Sequence, residues 1–376
     1  MKFKVHSKAL YSALSSVSKV INAKNAMTIL NNFLFDVDEQ MVTITAADPE
    51  STLTARVEIF DFDGEPGKFC VDARRSVELF KELPEVAVEF SISESLGIDI
   101  VYPGGHFNFV GINGQEYPNI SEVDNSSEPV SITCPVSQIV SGIDNTLFAV
   151  GTDDLRPQMM GIYFDIKNDG ITFVSTDTRK LVRYRNWESA PGVEASFIMP
   201  IKAANIIKNV FAKEKEVKLT IDSKSATIEG EAFTFNFRFI KGNFPDYNRV
   251  IPANNTYVLT VDRHSILNAV RRVGVFVDPG HGLVKFQIHP EFVEMKAQDN
   301  NFCTAGREEI PCDFTGDNMV IGFSAPYLIE IFNTISTDNI IVKLADPSRP
   351  GIFLPETDGD NDELLMLLMP MTVGEF

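Results

Sequence analysis

Residues 1–21, MKFKVHSKALYSALSSVSKVI, set the fold. Met1-Lys2-Phe3-Lys4-Val5 alternates apolar with polar side chains, the pattern of a strand with one buried face. From Ser7 to Val20 the spacing changes: Leu10, Leu14, Val17 and Ile21 recur at three and four, one apolar stripe along a helix. The same opening returns twice. Val130-Ser131-Ile132-Thr133 precedes Pro135 to Leu147, and Tyr257-Val258-Leu259-Thr260 precedes Asp262 to Val275. In the last of these, Ile266, Ala269, Val270 and Val273 form the stripe and Asp262 stands where an N-cap belongs.

A second marker recurs later in each copy. Phe69-Cys70-Val71 leads into Asp72 to Leu83, Phe197-Ile198-Met199 into Pro200 to Phe211, and Met319-Val320-Ile321 into Ser324 to Ile335. Asp, Pro and Ser-Ala-Pro are residues that start helices. Two copies also end alike: His106-Phe107-Asn108-Phe109 runs to Glu116-Tyr117-Pro118, and Phe233-Thr234-Phe235-Asn236-Phe237 runs to Asn243-Phe244-Pro245. All three markers return with a period of about 125 residues.

Between the helices lie alternating runs expected to pair as strands. They include Leu34 to Val37, Val42 to Thr45, Leu53 to Ile59, Ile162 to Ile166 and Ile171 to Val174, with Val284 to His289 and Phe292 to Ala297 in the last copy. The fold class expected is α+β: three similar domains, each with two helices packed on antiparallel sheets. The polar stretches Ser121 to Pro129 and Asn248 to Thr256 read as linkers, giving domains 1–122, 129–250 and 256–376.

The net charge is −19, from 33 Lys and Arg against 52 Asp and Glu. A chain this acidic cannot simply coat nucleic acid, although a positive lining on one surface is compatible with it. The scattered cysteines Cys70, Cys134, Cys303 and Cys312 form no CxxC and read as buried free thiols in a reducing compartment. Without a signal-like start or a membrane-length apolar run, a cytoplasmic protein is expected.

Catalytic chemistry finds no support. His6, His106, His264, His281 and His289 share no ligand spacing, so neither metal nor other cofactor is expected. Asp48 and Asp177 each end a strand, where a general base can sit, but no second acid, His or Lys accompanies either at a telling distance. Their matching places in two copies favour structural turns. Gly64-Glu65-Pro66-Gly67 and Gly111-Ile112-Asn113-Gly114 lack the Lys and the helix of a phosphate loop. The chain reads as a non-enzyme.

Cations do gather on the expected helices: Lys8 and Lys19, then Arg74, Arg75 and Lys81, then Lys202 and Lys208, then Arg263, Arg271 and Arg272, with Lys24 in the loop after the first. Solvated helix faces account for such a pattern; so do helices lining a hole and reaching phosphates. The run Leu364 to Met371 reads as a final core strand stopped by Pro370, leaving Met369 and Met371 near an opening where thioethers suit diverse peptides.

Four motifs in order carry a family resemblance over essentially the whole chain: the opening MKFKV, Ser175-Thr176-Asp177-Thr178-Arg179-Lys180-Leu181, Asn243 to Val250 (NFPDYNRV), and Met369-Pro370-Met371. Together they resemble the beta sliding clamps of bacterial DNA polymerase III. The resemblance implies a head-to-tail homodimer, assembled as a ring around duplex DNA, with helices lining the hole. It implies a dimer interface at Phe107 and Phe109 against Val275 and Phe276, and DNA contacts at Lys24, Arg74 and Lys202. It also implies a peptide-binding cleft formed by Met159, Thr176, Thr178, Arg179, Lys180, Leu181, Pro245, Arg249, Val250, Leu367, Met369, Pro370 and Met371.

The partners implied are the DNA polymerase III alpha subunit, a clamp loader, and other polymerases, ligase and mismatch-repair proteins that dock through short linear motifs. Three departures stand out. Thr178-Arg179-Lys180-Leu181 replaces the family's usual Gly-His-Arg-Leu and adds positive charge. Lys24 to Thr28 keeps a charge but lacks the family's two loop prolines. Gly374-Glu375-Phe376 extends beyond the usual end. The rival reading is a scaffold of repeated α+β domains that never meets DNA; it predicts a monomer or an open oligomer.

Overall fold

In the computed structural model, which describes residues 1–22, 24–119, 128–278, 282–299 and 302–374, each expected strand-and-helix opening is formed. Six α-helices occur among the described residues: α1 (Ser7–Val17), α2 (Ala73–Glu82), α3 (Val136–Thr146), α4 (Ile201–Val210), α5 (Arg263–Val273) and α6 (Ala325–Thr334). Asp72 caps α2 by accepting the Arg75 N–H at 2.8 Å, and Asp262 caps α5 by accepting the Ser265 N–H at 2.7 Å. Each cap satisfies a donor that the helix itself leaves open. The expected reach to Val20, Leu147 and Val275 is met by tight 3-10 turns, Ser18–Val20, Leu147–Ala149 and Gly274–Phe276. The architecture is three similar domains, each with helices packed on antiparallel sheets.

The described residues form two compact units, 1–137 with 202–239 and 138–201 with 240–376. The first holds a five-stranded sheet in the order Phe60–Asp63, Lys2–His6, Ala87–Ile92, Gly97–Tyr102, Gly105–Val110. Its second sheet has nine strands: Ile112–Asn113, Gly67–Asp72, Asn32–Val37, Met41–Ala47, Ser51–Glu58, Phe233–Arg238, Ser225–Glu229, Glu216–Ile221 and Val130–Pro135. α1 and α2 pack on one another, with Leu10, Leu14, Val17 and Phe80 buried. Phe90 joins them to the sheet, stacking 4.9 Å from Phe3 and 6.0 Å from Phe80.

The second unit repeats the scheme. Nine strands run Ala195–Pro200, Gly161–Lys167, Gly170–Thr176, Lys180–Asn186, Asp362–Leu368, Gly351–Pro355, Asn339–Leu344, Tyr257–Asp262 and Asp313–Phe314. Four more run Thr304–Pro311, Phe292–Asp299, Leu283–Ile288 and Met319–Ser324, while α5 packs on α6. In α3, a Cβ added at Gly142 would lie 2.4 Å from the Phe173 ring, so only glycine lets helix and sheet approach this closely.

Cys70 and Cys134 are buried as expected, and burial followed by the Glu116 charge pushes the Cys70 thiol up to about 12. Cys312 is half-buried. Cys303 departs from the expectation: it is exposed in a turn at φ 54°, where no alternating apolar run draws it inward. Most of the Ser121–Pro129 linker, His281 and the last two residues lie outside the described residues. Among those described, no helix is long and apolar enough to cross a membrane.

Candidate functional site

The strands Lys180–Asn186 and Asp362–Leu368 carry Lys180, Leu181 and Leu367 of the expected cleft. They pair with Lys180 opposite Leu368 and Leu181 opposite Leu367. Leu181, Leu367, Val174 and Tyr247 form one buried apolar cluster, against which Tyr163, Phe244 and Ile251 pack. Tyr247 is fixed there by donating to the Asp165 carboxylate at 2.8 Å, and Tyr163 stacks 4.8 Å from Phe244. Leu181 is therefore part of the core here. Pro245 and Val250 stand exposed beside it, and Met159 is half-buried.

The turn before Leu181 is held by its own side chains. The Thr176 hydroxyl donates to Lys180 O at 2.7 Å and accepts the Thr178 N–H at 3.1 Å. Asp177 accepts the Arg179 and Lys180 N–H groups at 2.9 and 2.8 Å. This Asx turn leaves Thr178 at φ 79°, a left-handed conformation that strains a β-branched residue. Arg179 projects into solvent, as does Arg249, which pairs with Asp246 at 2.9 Å.

Lys180 does not join that exposed rim. It is 4% exposed, with its ammonium hydrogen-bonded to Glu330 and placed over the rings of Tyr327 and Phe148 at 4.5 and 5.3 Å. The Lys180 charge is thus paired inside the protein, whereas Arg179, which stands where the family has His and carries the added positive charge, remains exposed. Burial and then the Asp177 charge push the Tyr327 phenol up, with Arg179 opposing.

Beyond Leu368 the chain leaves the strand but stays tethered. Met369 N–H donates to Arg179 O and Met371 N–H to Gly322 O, both at 2.8 Å. Met369 is 42% exposed. Pro370 and Met371 line a cavity of about 570 Å³ together with Lys285, Val320 and Ser348. Sequence spacing gave no hint of Tyr327, Glu330 or Gly322 near this site, because each comes from a distant segment.

The expected DNA-contacting cations differ in how free they are. Lys24 is exposed and has no ion pair among the described residues. Arg74 is exposed and pairs along α2 with Glu78 at 2.9 Å. Lys202 is bound to Val20 O at 2.5 Å, to Asn22 Oδ1 at 2.7 Å and to the Asp48 carboxylate. Burial alone would raise the Asp48 carboxyl, but hydrogen bonds from Lys202, the Glu50 N–H and Ser51, with the Lys202 charge, hold it below the usual carboxylate range. Neither Asp48 nor Asp177 is a free base. Among the described residues, no three His, Cys, Asp or Glu side chains are placed to hold a metal ion.

Phe107 and Phe109 are half-buried on Gly105–Val110, the edge strand of its sheet, with Phe107 stacked 6.1 Å from Tyr102. In the other unit Val275 is 78% and Phe276 36% exposed, beside the edge strand Thr304–Pro311. A Cβ on Gly306 would lie 2.6 Å from the Phe276 ring, so that ring already occupies the place of a side chain on the edge.

Three family models match in order: the N-terminal domain of the DNA polymerase III beta subunit over residues 1–121, its central domain over 133–246, and its C-terminal domain over 248–372. Among curated proteins, the chain is 25% identical to the beta sliding clamp of Vibrio cholerae over 99% of this chain and 100% of that one. It is 26% identical to that of Caulobacter vibrioides with the same coverage. Among solved structures, a sliding clamp from Pseudomonas aeruginosa superposes with a TM-score of 0.92 at 24% identity, covering 99% of this chain and 100% of that one. The Thermotoga maritima beta subunit superposes at 0.89 and 22% identity, with the same coverage.

Proposed function

The chain belongs to the DNA polymerase III beta subunit family, and on that premise we propose that it is a sliding clamp, two copies of which close head to tail around duplex DNA and tether replication proteins to it. The function is topological and not catalytic. We take its domains as 1–122, 129–250 and 256–376, and its place of action as the cytoplasm.

One repeated edge pairing carries this reading. Twice, the last strand of one domain lies antiparallel to the hairpin strand of the domain before it. Phe233–Arg238 pairs with Ser51–Glu58, setting Phe237 opposite Ser51 and Phe235 opposite Leu53. Asp362–Leu368 pairs with Lys180–Asn186, setting Leu368 opposite Lys180 and Met366 opposite Val182. Two equivalent strands are left over, Gly105–Val110 and Thr304–Pro311, each at a sheet edge. An unpaired edge with half-exposed aromatics invites another strand.

The register of that closure follows from the repeat. Each hairpin turn has an Asp accepting backbone N–H groups: Asp48 from Ser51, Asp177 from Lys180 and Asp299 from Phe302. Across the ladder Asp48 faces Ser51, Asp177 faces Lys180 and Asp299 faces Thr304, so in register Ser51, Lys180 and Thr304 are equivalent. The shared Phe-Asn-Phe aligns Phe107 and Phe109 with Phe235 and Phe237. Phe109 then falls opposite Thr304, and Phe107 opposite Gly306, of the second copy. Phe107 would thereby meet the Phe276 ring lying over Gly306. Such a heterologous contact makes a ring when its rotation closes.

Contacts to phosphate by Lys24 and Arg74 are equivalent along a duplex, so they permit sliding without sequence preference. The cleft around Leu181, Val250, Met369 and Met371 takes short linear peptides of the polymerase alpha subunit, the clamp loader and repair proteins, its apolar floor setting affinity. The test is primer extension on a primed circle with polymerase III and loader. Products should lengthen many-fold when the chain is added. Unchanged product length would refute the reading.

A further inference from the structure

Lys202 offers no free hydrogen to a phosphate. An ammonium has three N–H donors, and here three acceptors surround it: Val20 O, Asn22 Oδ1 and Asp48 Oδ2. The Asp48 carboxylate is itself saturated. Asp48 Oδ1 takes the Glu50 and Ser51 N–H groups at 2.8 and 2.6 Å and the Ser51 hydroxyl at 2.9 Å, while Oδ2 also takes Asn22 Nδ2 at 3.3 Å. Asp48 is 4% exposed, so releasing Lys202 would strand a buried carboxylate.

What this cluster holds is the entry to the segment bearing Lys24. Val20 ends the 3-10 turn after α1 and Asn22 follows two residues later. On the other side of Lys24, Asn25 Nδ2 donates to Asn22 O at 3.3 Å and to Asn31 Oδ1 at 3.0 Å. Asn22 is thus bound by Lys202 and Asp48 through its side chain and by Asn25 through its carbonyl. Residues 21–27 contain no proline that would stiffen the backbone by itself. Hydrogen bonds from both sides of Lys24 therefore meet at Asn22.

We propose that Lys202 is a positioning residue that anchors the Lys24 segment through Asn22 and Asp48, and that Lys24, not Lys202, meets the phosphate. The proposal rests on the clamp reading and refines its DNA surface. It assigns two lysines to different tasks although both carry the same charge: one is exposed with no partner ion, the other is internally neutralised.

The test is the salt dependence of duplex-DNA binding by the full chain, measured by fluorescence anisotropy, in a cycle of Lys24→Ala with Lys202→Met. Lys24→Ala should reduce the slope of log affinity against log salt by about one per chain. Adding Lys202→Met to Lys24→Ala should change neither slope nor affinity further. Asn22→Ala, which removes no charge, should weaken binding in the wild-type background and have no effect beside Lys24→Ala; it decides the matter if Lys202→Met does not fold. A further loss of about one in slope from Lys202→Met beside Lys24→Ala would overturn the proposal in favour of a direct phosphate contact. Wild-type binding by a folded Lys202→Met or by Asn22→Ala would overturn it as well. A wild-type chain without any salt-dependent DNA binding would instead overturn the clamp reading, and the anchor's purpose with it.

Discussion

The ammonium of Lys180, buried at the start of a cleft strand, is hydrogen-bonded to the carboxylate of Glu330 on α6. With Tyr327 and Phe148 over it, the charge is satisfied by a close carboxylate, a more distant one and two ring faces. Removing Glu330 alone leaves that ammonium buried beside only the more distant Asp177, 3.9 Å away. Glu330→Ala should therefore cost about 3 kcal/mol, seen as a lower urea midpoint. Lys180→Met combined with Glu330→Leu should recover most of it. Full additivity of the two changes would show that the pair is not coupled.

Asp48 makes stability depend on acid. Its folded-state carboxyl titrates below the unfolded one, so the unfolded chain binds more protons between the two values. The stabilisation is complete above about pH 4 and is lost as pH falls through the lower, folded value. Wild type should melt several degrees above Asp48→Asn at pH 7, and the gap should narrow below about pH 4. A gap that stays constant down to pH 3 would assign the difference to packing instead.

These two lysines also mark how far the sequence could be read. Strand, helix and cap positions were legible because they depend on neighbours: the stripe of α1, the N-caps Asp72 and Asp262, the hairpin across Lys167 and Gly170. The final buried strand and the exposed Met369 that follows it were legible too. What each cation does was not. Lys180 and Lys202 stand in the sequence as free positive charges, while their partners lie 150 and 154 residues away. Pairing across such separations leaves no local periodicity. Tyr327 and Glu330 escaped for the same reason, since an ordinary amphipathic helix explains both.

The edge register predicts the effect of a charge at the junction. Phe107→Asp, alone or with Phe109→Asp, places carboxylates where an apolar contact with Phe276 is expected. Mass measurement in solution should give one chain instead of two, with the melting temperature of the monomer little changed because Phe107 lies on a half-exposed edge strand. A Phe107→Asp chain that remains dimeric would contradict the register.

The cleft can be separated from the core. Val250 is 52% and Met369 42% exposed, so Val250→Asp and Met369→Ala should leave stability nearly intact. Binding of a fluorescent peptide from the polymerase alpha subunit should weaken by about tenfold for each. Leu181→Ala should lose peptide binding and also about 3 kcal/mol of stability, because its side chain is floor and core at once. Undiminished peptide binding by all three variants would place the docking site elsewhere.

Topological linkage is measured most directly by loading the chain onto nicked circular DNA, isolating the complex by gel filtration in high salt, and cutting the circle once. A closed ring stays with the intact circle and runs off the linear product, so the chain should leave the DNA peak within minutes of cutting. Equal retention on circle and linear DNA, or no retention on either, would contradict the account.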